Sequence, residues 1–394
     1  MTIELAKRLQ RIRPSATVSI TARAQRLREQ GRDVIVLSVG EPDFPTPEHV
    51  KAAAVEALAK NDTKYTPVDG SRLLKEAIVA KLERDNGLRY APEQVLVSTG
   101  AKQSCYNACL ALLDPGDEAV VIAPYWVSYP DMVRLAEAEP VIVATKAERG
   151  FKVTPEQLAR ALTSRTRLLI LNSPCNPTGA VYSASELRAL GEVLRAHPRI
   201  VVLSDEIYEH IQWTGSELTS FATACPELYD RTLTINGMSK GYAMSGWRIG
   251  YAAGPLHVIK AMTSLQGQST TNACTISQAA ARVALIGDQT CVRDMCNEFK
   301  RRHDFFYAGV RGLQGFQCVR ADGTFYLFPN VEAAMRNKGV TTDVELCERL
   351  IDEAGVALVP GTAFGAPGHL RFSFAASMST LDAALARLAQ FFRA

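Results

Sequence analysis

The 394-residue chain lacks the features of membrane-inserted, exported and nucleic-acid-binding proteins. No apolar run approaches the roughly eighteen residues needed to span a bilayer, and residues 1–14 lack the apolar core of a secretory signal. The formal net charge is only +3, because 44 basic residues are balanced by 41 acidic ones. We therefore expect a cytoplasmic protein that binds neither membranes nor nucleic acids.

The cysteines predict neither a disulfide framework nor a metal site. Nine is an odd number, and without an export signal we expect reduced thiols. Two pairs are closely spaced, Cys105 with Cys109 and Cys291 with Cys296. No histidine or further cysteine completes a zinc pattern around either pair. The stretch around Gly100 is neither a Walker motif nor a dinucleotide-binding fingerprint.

The length and the central pattern predict a large α/β domain. A chain of 394 residues exceeds the size, about 250–300 residues, at which a single core stops growing. Short β-rich apolar runs alternate with helical stretches, which is typical of a mostly parallel sheet wrapped by helices. The runs are residues 94–98, 119–123, 141–144, 167–171, 200–203, 232–235 and 249–253. We therefore predict a mostly parallel seven-stranded sheet.

The two ends of the chain predict a smaller α+β domain. The C-terminal segments are a charged helix at 292–313, strands at 323–328 and 369–374, and helices at 342–353 and 381–392. The N-terminal segments are helices at 5–12 and 22–30, separated by 14–17, and a strand at 34–39. Prolines in residues 40–47 prevent a helix before residue 48 and indicate a domain entry. The predicted large domain is 48–291, and the small domain is 1–47 with 292–394.

Polar groups follow five of the predicted strands. In open α/β sheets, ligands bind at the carboxyl ends of the strands, so we expect these groups to meet at one edge. They are Gly100, Ala101 and Lys102 after the first run, Trp126 after the second, Asn176 after the fourth, Asp205 and Tyr208 after the fifth, and Lys240 after the sixth. Five such strand ends together indicate a binding site.

Lys240 and Arg248 indicate which ligand this site takes. They lie close together in a loop rich in glycine and small residues. A lysine there can form a Schiff base with an aldehyde, and a nearby arginine can neutralise a phosphate. The pair suggests pyridoxal phosphate. The alternative is that Lys240 is a solvated loop cation.

The remaining groups of the site fit that cofactor. Its ring is an electron sink only while the ring nitrogen stays protonated, and Asp205, at the end of an apolar strand, is placed to hold that proton. Tyr208 and Asn176 can reach the ring hydroxyl, and Trp126 offers a flat face for stacking. The alternatives are a helix N-cap for Asp205, a turn former for Asn176 and core packing for Trp126.

Phosphate and carboxylate groups need donors and positive charge. The helix that opens at residues 100–102 points free amides and a positive dipole end at the sheet edge, and Ser239 and Arg248 add a hydroxyl and a charge. Arg371 lies in a strand-like segment where an apolar residue is expected, so it is either paired in an internal salt bridge or functional. A planar guanidinium suits the α-carboxylate of an amino acid.

With these residues assembled, the chain resembles the aspartate aminotransferase family of fold type I pyridoxal phosphate enzymes. The resemblance runs from end to end and is closest to the bacterial subgroup of aspartate and prephenate aminotransferases. Its motifs are PSATV at 14–18, VGEPDF at 39–44, PYWVSYP at 124–130, NSPCNPTG at 172–179 and DEIYEH at 205–210. Motifs of that length in that order are highly specific.

The resemblance implies a role for each residue of the site. Lys240 is the Schiff-base lysine and proton shuttle, Asp205 meets the ring nitrogen, Tyr208 and Asn176 the ring oxygen, and Trp126 the ring face. Gly100, Ala101, Ser239 and Arg248 surround the phosphate, with Tyr65 from a partner subunit, and Lys102 is also a cofactor-binding residue. Gly40, Asn176 and Arg371 meet the α-carboxylate of the substrate, which Trp126 also contacts, and Ser15, Thr17 and Lys102 meet a second carboxylate.

The resemblance also implies the assembly and the substrates. A site shared across an interface implies a homodimer, and the residues for a second carboxylate favour aspartate, glutamate and their oxo-acids. Prephenate is an alternative, because Arg13 matches a basic position of that branch. We expect a ping-pong transaminase. Prephenate or aromatic transamination, a carbon–sulfur β-lyase on the same scaffold and a non-enzymatic regulator are the rivals.

Overall fold

The computed structural model describes residues 3–12, 16–215 and 218–393. Its strands, numbered along the chain, are β1 (Ile35–Val36), β2 (Val95–Ser98), β3 (Glu118–Ala123), β4 (Glu139–Ala144), β5 (Thr166–Asn172), β6 (Val201–Asp205), β7 (Thr232–Gly237), β8 (Gly250–Ala253), β9 (Tyr326–Leu327), β10 (Val356–Ala357), β11 (Val359–Pro360) and β12 (Leu370–Ser373).

Helices of three kinds connect these strands. The α-helices are α1 (Ala16–Glu29), α2 (Glu48–Ala59), α3 (Arg72–Asn86), α4 (Ala101–Leu112), α5 (Tyr129–Leu135), α6 (Pro155–Ala161), α7 (Ala184–Arg195), α8 (Phe221–Ala224), α9 (Leu256–Gly267), α10 (Thr275–Ile286), α11 (Thr290–Arg311), α12 (Glu332–Asn337), α13 (Asp343–Arg349) and α14 (Met378–Arg393). Short 3₁₀ helices are Lys7–Arg11, Pro92–Gln94, Ala147–Arg149, Pro226–Arg231, Ser245–Trp247 and Gly361–Phe364, and Leu350–Ala354 is a π-helical turn.

The central sheet has seven strands in the order β2-β8-β7-β6-β5-β3-β4. β8 runs antiparallel to β2 and β7, and the other neighbouring strands are parallel. Each of the seven predicted runs coincides with one of these strands. The prediction of a mostly parallel seven-stranded α/β sheet is therefore confirmed.

Successive residues of the central strands are buried on opposite faces of the sheet. Ile170 and Leu203 pack on the side of α4, α5 and α9, whereas Leu169 and Val202 pack on the side of α6 and α7. A parallel strand covered on both faces has no solvent side and reads as a continuous apolar run. This is why these strands could be recognised from the sequence.

Two smaller sheets lie in the terminal parts of the chain, and one of them joins the two ends. β1 pairs in parallel with β10, and β9, β12 and β11 form an antiparallel sheet. Aromatic side chains such as Phe299, Phe306 and Phe372 fill the core between these sheets, α11 and α14, and the core extends to Tyr208 and Ile211 at the rim of the large sheet. We propose that 48–291 is one domain and that 1–47 with 292–394 is the other.

The N-terminal region differs from the prediction. A helix was expected only from residue 22, but α1 already begins at Ala16. The predicted break between helices at residues 14–17 is therefore wrong for residues 16–17, while residues 14 and 15 lie outside the described residues. Ile20, Ala24 and Leu27 pack against Val34 and Ile351, and this tertiary contact stabilises the helix beyond its local propensity. The strand predicted at 34–39 is reduced to β1.

None of the described helices is long and apolar enough to cross a membrane. Clusters of metal-ligating side chains are also not found in the described part of the chain. All nine cysteines are free thiols.

Candidate active site

A cavity of about 280 Å³ opens at the carboxyl edge of the parallel strands. It is bounded by the ends of β5 and β6, the loop after β7 and the start of α4, and it is closed by β9 and β12 of the smaller sheets. The predicted site residues that line it are Gly40, Ala101, Lys102, Trp126, Asn176, Asp205, Tyr208, Ser239, Lys240, Arg248 and Arg371. Segments far apart in the sequence thus meet at one edge, as expected.

Lys240 extends into this cavity from the loop that follows β7. Its ammonium donates a hydrogen bond to the carbonyl oxygen of Gly40. Burial lowers the pKa of the Lys240 amine to about 8, helped by the cations of Arg371 and Arg248 and opposed by Glu41 and Asp205. Near neutral pH a share of this amine is therefore unprotonated and nucleophilic. The side chain is not a solvated loop cation.

Asp205 is a buried carboxylate at the end of β6. The hydroxyl of Tyr129 donates to its Oδ2 over 2.6 Å, and the backbone N–H of Ile207 donates to its Oδ1 over 3.2 Å. Burial raises the pKa of the Asp205 carboxyl, and these hydrogen bonds oppose that rise. The next helix begins only at Phe221, so Asp205 is not a helix N-cap.

Tyr208 and Tyr326 join the two parts of the chain at the cavity. Their hydroxyl oxygens are 3.0 Å apart and their rings meet edge to face. Both phenols are buried, and burial raises the pKa of each. They are therefore neutral hydrogen-bonding groups at physiological pH.

Arg371 reaches the cavity from β12 and is only 2% exposed. Its guanidinium donates to Oδ1 of Asn176 over 3.0 Å and to the carbonyl oxygen of Ser38 over 2.6 Å, and it stacks on the Tyr326 ring. The Nε atom has no hydrogen-bond partner among the described residues, and no described carboxylate pairs with the guanidinium. A buried guanidinium without a described counter-ion is able to bind an anion.

The start of α4 and Arg248 form a positive end of the cavity. Gly100 caps α4 at φ +79°, and a Cβ atom there would overlap the Arg248 guanidinium. Gly250 in β8 similarly lets the Ala101 amide approach the strand. Arg248 donates to the carbonyl oxygen of Ser245 over 2.6 Å and lies 3.5 Å from the Ser239 hydroxyl. Free helix-end amides beside a guanidinium bind anions.

Lys102 and Trp126 lie together at the mouth of the site. The Lys102 ammonium is 4.8 Å from the centre of the Trp126 ring. Burial and the charge of Arg248 lower the pKa of this lysine. Trp126 thus presents a flat face to the cavity with a cation at its edge.

Among the predicted residues whose side chains the structure describes, two do not line the cavity. Gly100 lies just behind it as the cap of α4. Tyr65 is 89% exposed and is not part of the cavity of its own chain. Ser15, like Arg13, lies outside the described residues, and of Thr17 only the backbone in α1 is described.

The cavity also contains polar residues that the sequence analysis missed. Tyr129, Asn172 and Tyr326 line it, as do Ser128 and Ser245. Asn172 donates to the carbonyl oxygen of Asp205 over 2.9 Å. The only available signal was position, because Tyr129 follows Trp126 by one helical turn and Asn172 ends a predicted strand.

The amine of Lys240 should titrate near pH 8 in the cofactor-free protein. Amine acetylation followed by mass spectrometry across pH 6–11 should give that midpoint, against about 10.4 for exposed lysines. Arg371→Met should move the midpoint upwards, because removing a nearby cation favours the charged amine. A wild-type midpoint near 10 would contradict this description of the cavity.

Known proteins that resemble this chain match it over nearly its whole length. The family model for class I and II aminotransferases matches residues 32–388. The chain is 46% identical over 393 residues to the aspartate/prephenate aminotransferase of Nitrosomonas europaea, covering 98% of this chain and 99% of that protein. It is 48% identical to the aspartate aminotransferase of Geobacillus stearothermophilus, covering all of both chains.

Solved structures agree with these sequence matches. The aspartate aminotransferase of Rhizobium meliloti superposes with a TM-score of 0.96 at 44% identity, covering 100% of this chain and 99% of that one. The aspartate aminotransferase of Thermus thermophilus with maleate gives 0.93 at 46% identity, covering 99% and 100%. The chain therefore belongs to the class I and II aminotransferases and is a transaminase.

Proposed function

We propose that this transaminase uses pyridoxal phosphate to move an amino group from aspartate or glutamate to a 2-oxo acid by a ping-pong mechanism. The observation that carries the proposal is a single cavity with a pKa-lowered amine, a buried carboxylate and two guanidinium groups at different walls. The aminotransferase relatives favour neither the carbon–sulfur β-lyase nor the non-enzymatic regulator.

The residues present fit the proposed cofactor. Arg248, Ser239 and the free amides at Ala101 form a phosphate site, and the buried Asp205 carboxylate suits a protonated pyridine nitrogen. The Trp126 face supplies stacking, and the hydroxyl of Tyr208 with the amide of Asn176 supplies donors for a ring oxygen. A volume of about 280 Å³ accommodates a molecule of that size.

The chemistry divides between the cofactor and the protein. When bound, pyridoxal phosphate supplies the electron sink that labilises bonds at the α-carbon of an amino acid. Lys240 would hold the aldehyde end of the cofactor through Nζ, and the same nitrogen would serve as the base that moves the α-proton of the amino acid. Asp205 would keep the ring nitrogen protonated. Gly40 orients the Lys240 amine through its carbonyl oxygen.

Arg371 is the proposed receptor for the substrate α-carboxylate. Asn176 and the Ser38 carbonyl already hold two of its nitrogens, so the planar group is oriented before substrate arrives. The remaining Nε donor has no described partner to displace. Such preorganisation reduces the side-chain entropy lost when a carboxylate binds.

Lys102 supports a dicarboxylic substrate. It provides a second cation in the same cavity as Arg371, and Ser15 and Thr17 are proposed to assist it. Three of the four similar proteins described above are named aspartate aminotransferases, and one of these structures was solved with maleate, which is a dicarboxylate. Prephenate, named for the Nitrosomonas relative, is the second candidate, with Arg13 proposed to contribute. Aromatic amino acids are the remaining alternative.

We further propose that the protein is a cytoplasmic homodimer with shared active sites. Tyr65 is 89% exposed and lies outside its own cavity, which is expected of a residue that serves a partner subunit. Leu58 and Leu73, in helices flanking the Tyr65 loop, are also more than half exposed. Covering such apolar side chains in an interface is favourable.

Replacing Lys240 tests the proposed chemistry directly. Lys240→Ala should abolish the visible absorbance of bound pyridoxal phosphate and lower turnover of aspartate with 2-oxoglutarate by about 10⁴-fold or more. Lys260→Ala, which removes an exposed lysine of α9, is the matched control and should behave as wild type. Retention of absorbance and turnover by Lys240→Ala would refute the assignment.

Replacing Lys102 tests the substrate class. Lys102→Met should raise KM for aspartate and glutamate by about ten- to a hundredfold, since a charge-assisted hydrogen bond is lost. The KM for alanine, which has no second carboxylate, should change little. A half-reaction screen against the bound cofactor gives both values. Equal losses for aspartate and alanine would exclude Lys102 as the receptor for the second carboxylate.

Subunit mixing tests the shared site. Sedimentation should give about twice the 42.9 kDa chain mass. Tyr65→Ala and Lys240→Ala homodimers should each be impaired, but their mixture should regain activity, because one hybrid site combines Lys240 of one chain with Tyr65 of the other. A monomer, or a mixture no more active than its parents, would contradict the proposal.

A further inference from the structure

The end of β6 and the turn that follows it carry three carboxylate residues, of which only Asp205 lines the cavity. Asp205 and Tyr208 line the cavity, whereas Glu206 and Glu209 are buried but do not line it. The exposed fractions of the two glutamates are 2% and 7%. Two carboxyl side chains are therefore enclosed directly behind the proposed cofactor site, and the mechanism above does not use them.

Glu209 is paired with a lysine that is equally enclosed. Lys81, in α3, is 1% exposed, forms an ion pair with Glu209 and donates to Oδ1 of Asn86 over 2.7 Å. Asn86 in turn donates to Glu209 over 2.9 Å. Burial raises the pKa of the Glu209 carboxyl, but Lys81 and His210 outweigh burial and lower that pKa to about 2. The Glu209 carboxyl is thus ionised at any physiological pH.

Asn86 and Ser220 connect this ion pair to Glu206. The Asn86 amide also donates to the Ser220 hydroxyl over 3.0 Å, and that hydroxyl donates to Glu206 over 2.5 Å. Glu206 further accepts from the Ser204 hydroxyl and the Phe221 amide. Burial raises the pKa of the Glu206 carboxyl to about 7. The whole turn is therefore tied to α3 and α8 by continuous hydrogen bonds.

His210 extends the same group to the loop of Lys240. Its ring lies against Gly241, where a Cβ atom would be 2.8 Å from the imidazole Cδ2, and meets the Tyr242 ring edge to face at 5.6 Å. Its Nε2 is 3.2 Å from Glu209, but out of line for a hydrogen bond, and 4.0 Å from Asp85. This connected set of side chains therefore contacts both the Asp205 turn and the residues next to Lys240.

Stability alone does not explain this arrangement. Enclosing ions costs desolvation free energy that their mutual attraction often fails to return, and apolar residues of similar volume would serve a core at least as well. Hydrogen bonds and ion pairs, however, have narrow geometry, whereas apolar contacts tolerate sliding. A network of directional contacts therefore restricts the position of the turn more tightly than apolar packing would.

We propose that the network of Lys81, Asn86, Glu206, Glu209, Ser220 and His210 is a positioning device that fixes Asp205 and Tyr208 relative to Lys240. These are positioning residues, because none of them lines the cavity. The role toward the cofactor rests on the proposed function, but the effect on the Lys240 amine does not. The two can therefore be tested separately.

The test compares three variants by the pH midpoint of Lys240 acetylation in cofactor-free protein. Glu209→Gln breaks the ion pair, and Lys81→Met with Glu209→Gln removes both charges. Glu118→Gln is the matched control, because Glu118 is also buried and paired, with Arg165, but lies at the start of β3 at the opposite edge of the sheet. Thermal midpoints are recorded for all, so that variants of equal stability loss are compared.

If the network positions the turn, both the single and the double variant should admit water to the cavity and raise the Lys240 midpoint by about one pH unit. The control should leave it near 8. In cofactor-loaded protein the same two variants should lose about tenfold in kcat with KM nearly unchanged, as small misplacement of reacting groups predicts.

Other outcomes would overturn the inference. An unchanged midpoint in the double variant, with a lowered one in Glu209→Gln, would show only the field of an unpaired Lys81. Equal behaviour of Glu209→Gln and Glu118→Gln would show only a structural role. Should Glu209→Gln fail to fold, Ser220→Ala breaks the same chain of hydrogen bonds while keeping the Lys81–Glu209 ion pair, and it should raise the midpoint by a smaller amount. Failure of wild type to bind pyridoxal phosphate would refute the proposed function, while the acetylation result would still decide this inference.

Discussion

The proposed chemistry depends on keeping one lysine amine partly neutral inside a cavity that several parts of the fold build. Burial disfavours the ammonium of Lys240, and the guanidinium groups of Arg371 and Arg248 disfavour it further. Each of those cations belongs to a different part of the fold, one to β12 and one to the loop before β8. Both parts of the chain therefore contribute to the lowered pKa of this amine.

The sheet provides the geometry for this constraint. Parallel strands end at one edge, so β5, β6 and β7 deliver Asn172, Asp205 and Lys240 to the same rim. At the positive end, two glycines allow backbone to approach where a side chain would collide, which brings the α4 amides close to Arg248. Apolar burial on both faces of the strands holds that rim rigid.

How much of this could be predicted depended on whether a signal is local. The strands were recognisable because burial on both faces imposes a continuous apolar run, and the groups after them followed from the rule that strand ends converge. The early start of α1 could not be predicted, because Ala24 and Leu27 pack against Ile351, which is remote in the sequence. Tyr326 was missed for the same reason, since only the docking of β9 brings its hydroxyl to Tyr208.

The buried charges behind the Asp205 turn show the limit of sequence patterns most clearly. Glu206 and Glu209 belong to the DEIYEH segment, where any acidic residue can be a candidate for chemistry. Lys81 lies on a helix that otherwise appears amphipathic, with nothing in its neighbours to mark it. Only the fold shows that these charges face one another rather than the cavity. A carboxylate that faces the proposed cofactor and one that pairs with a structural lysine can thus lie within a few residues of each other. The backbone conformation of the short turn determines whether each side chain points into the cavity or away from it.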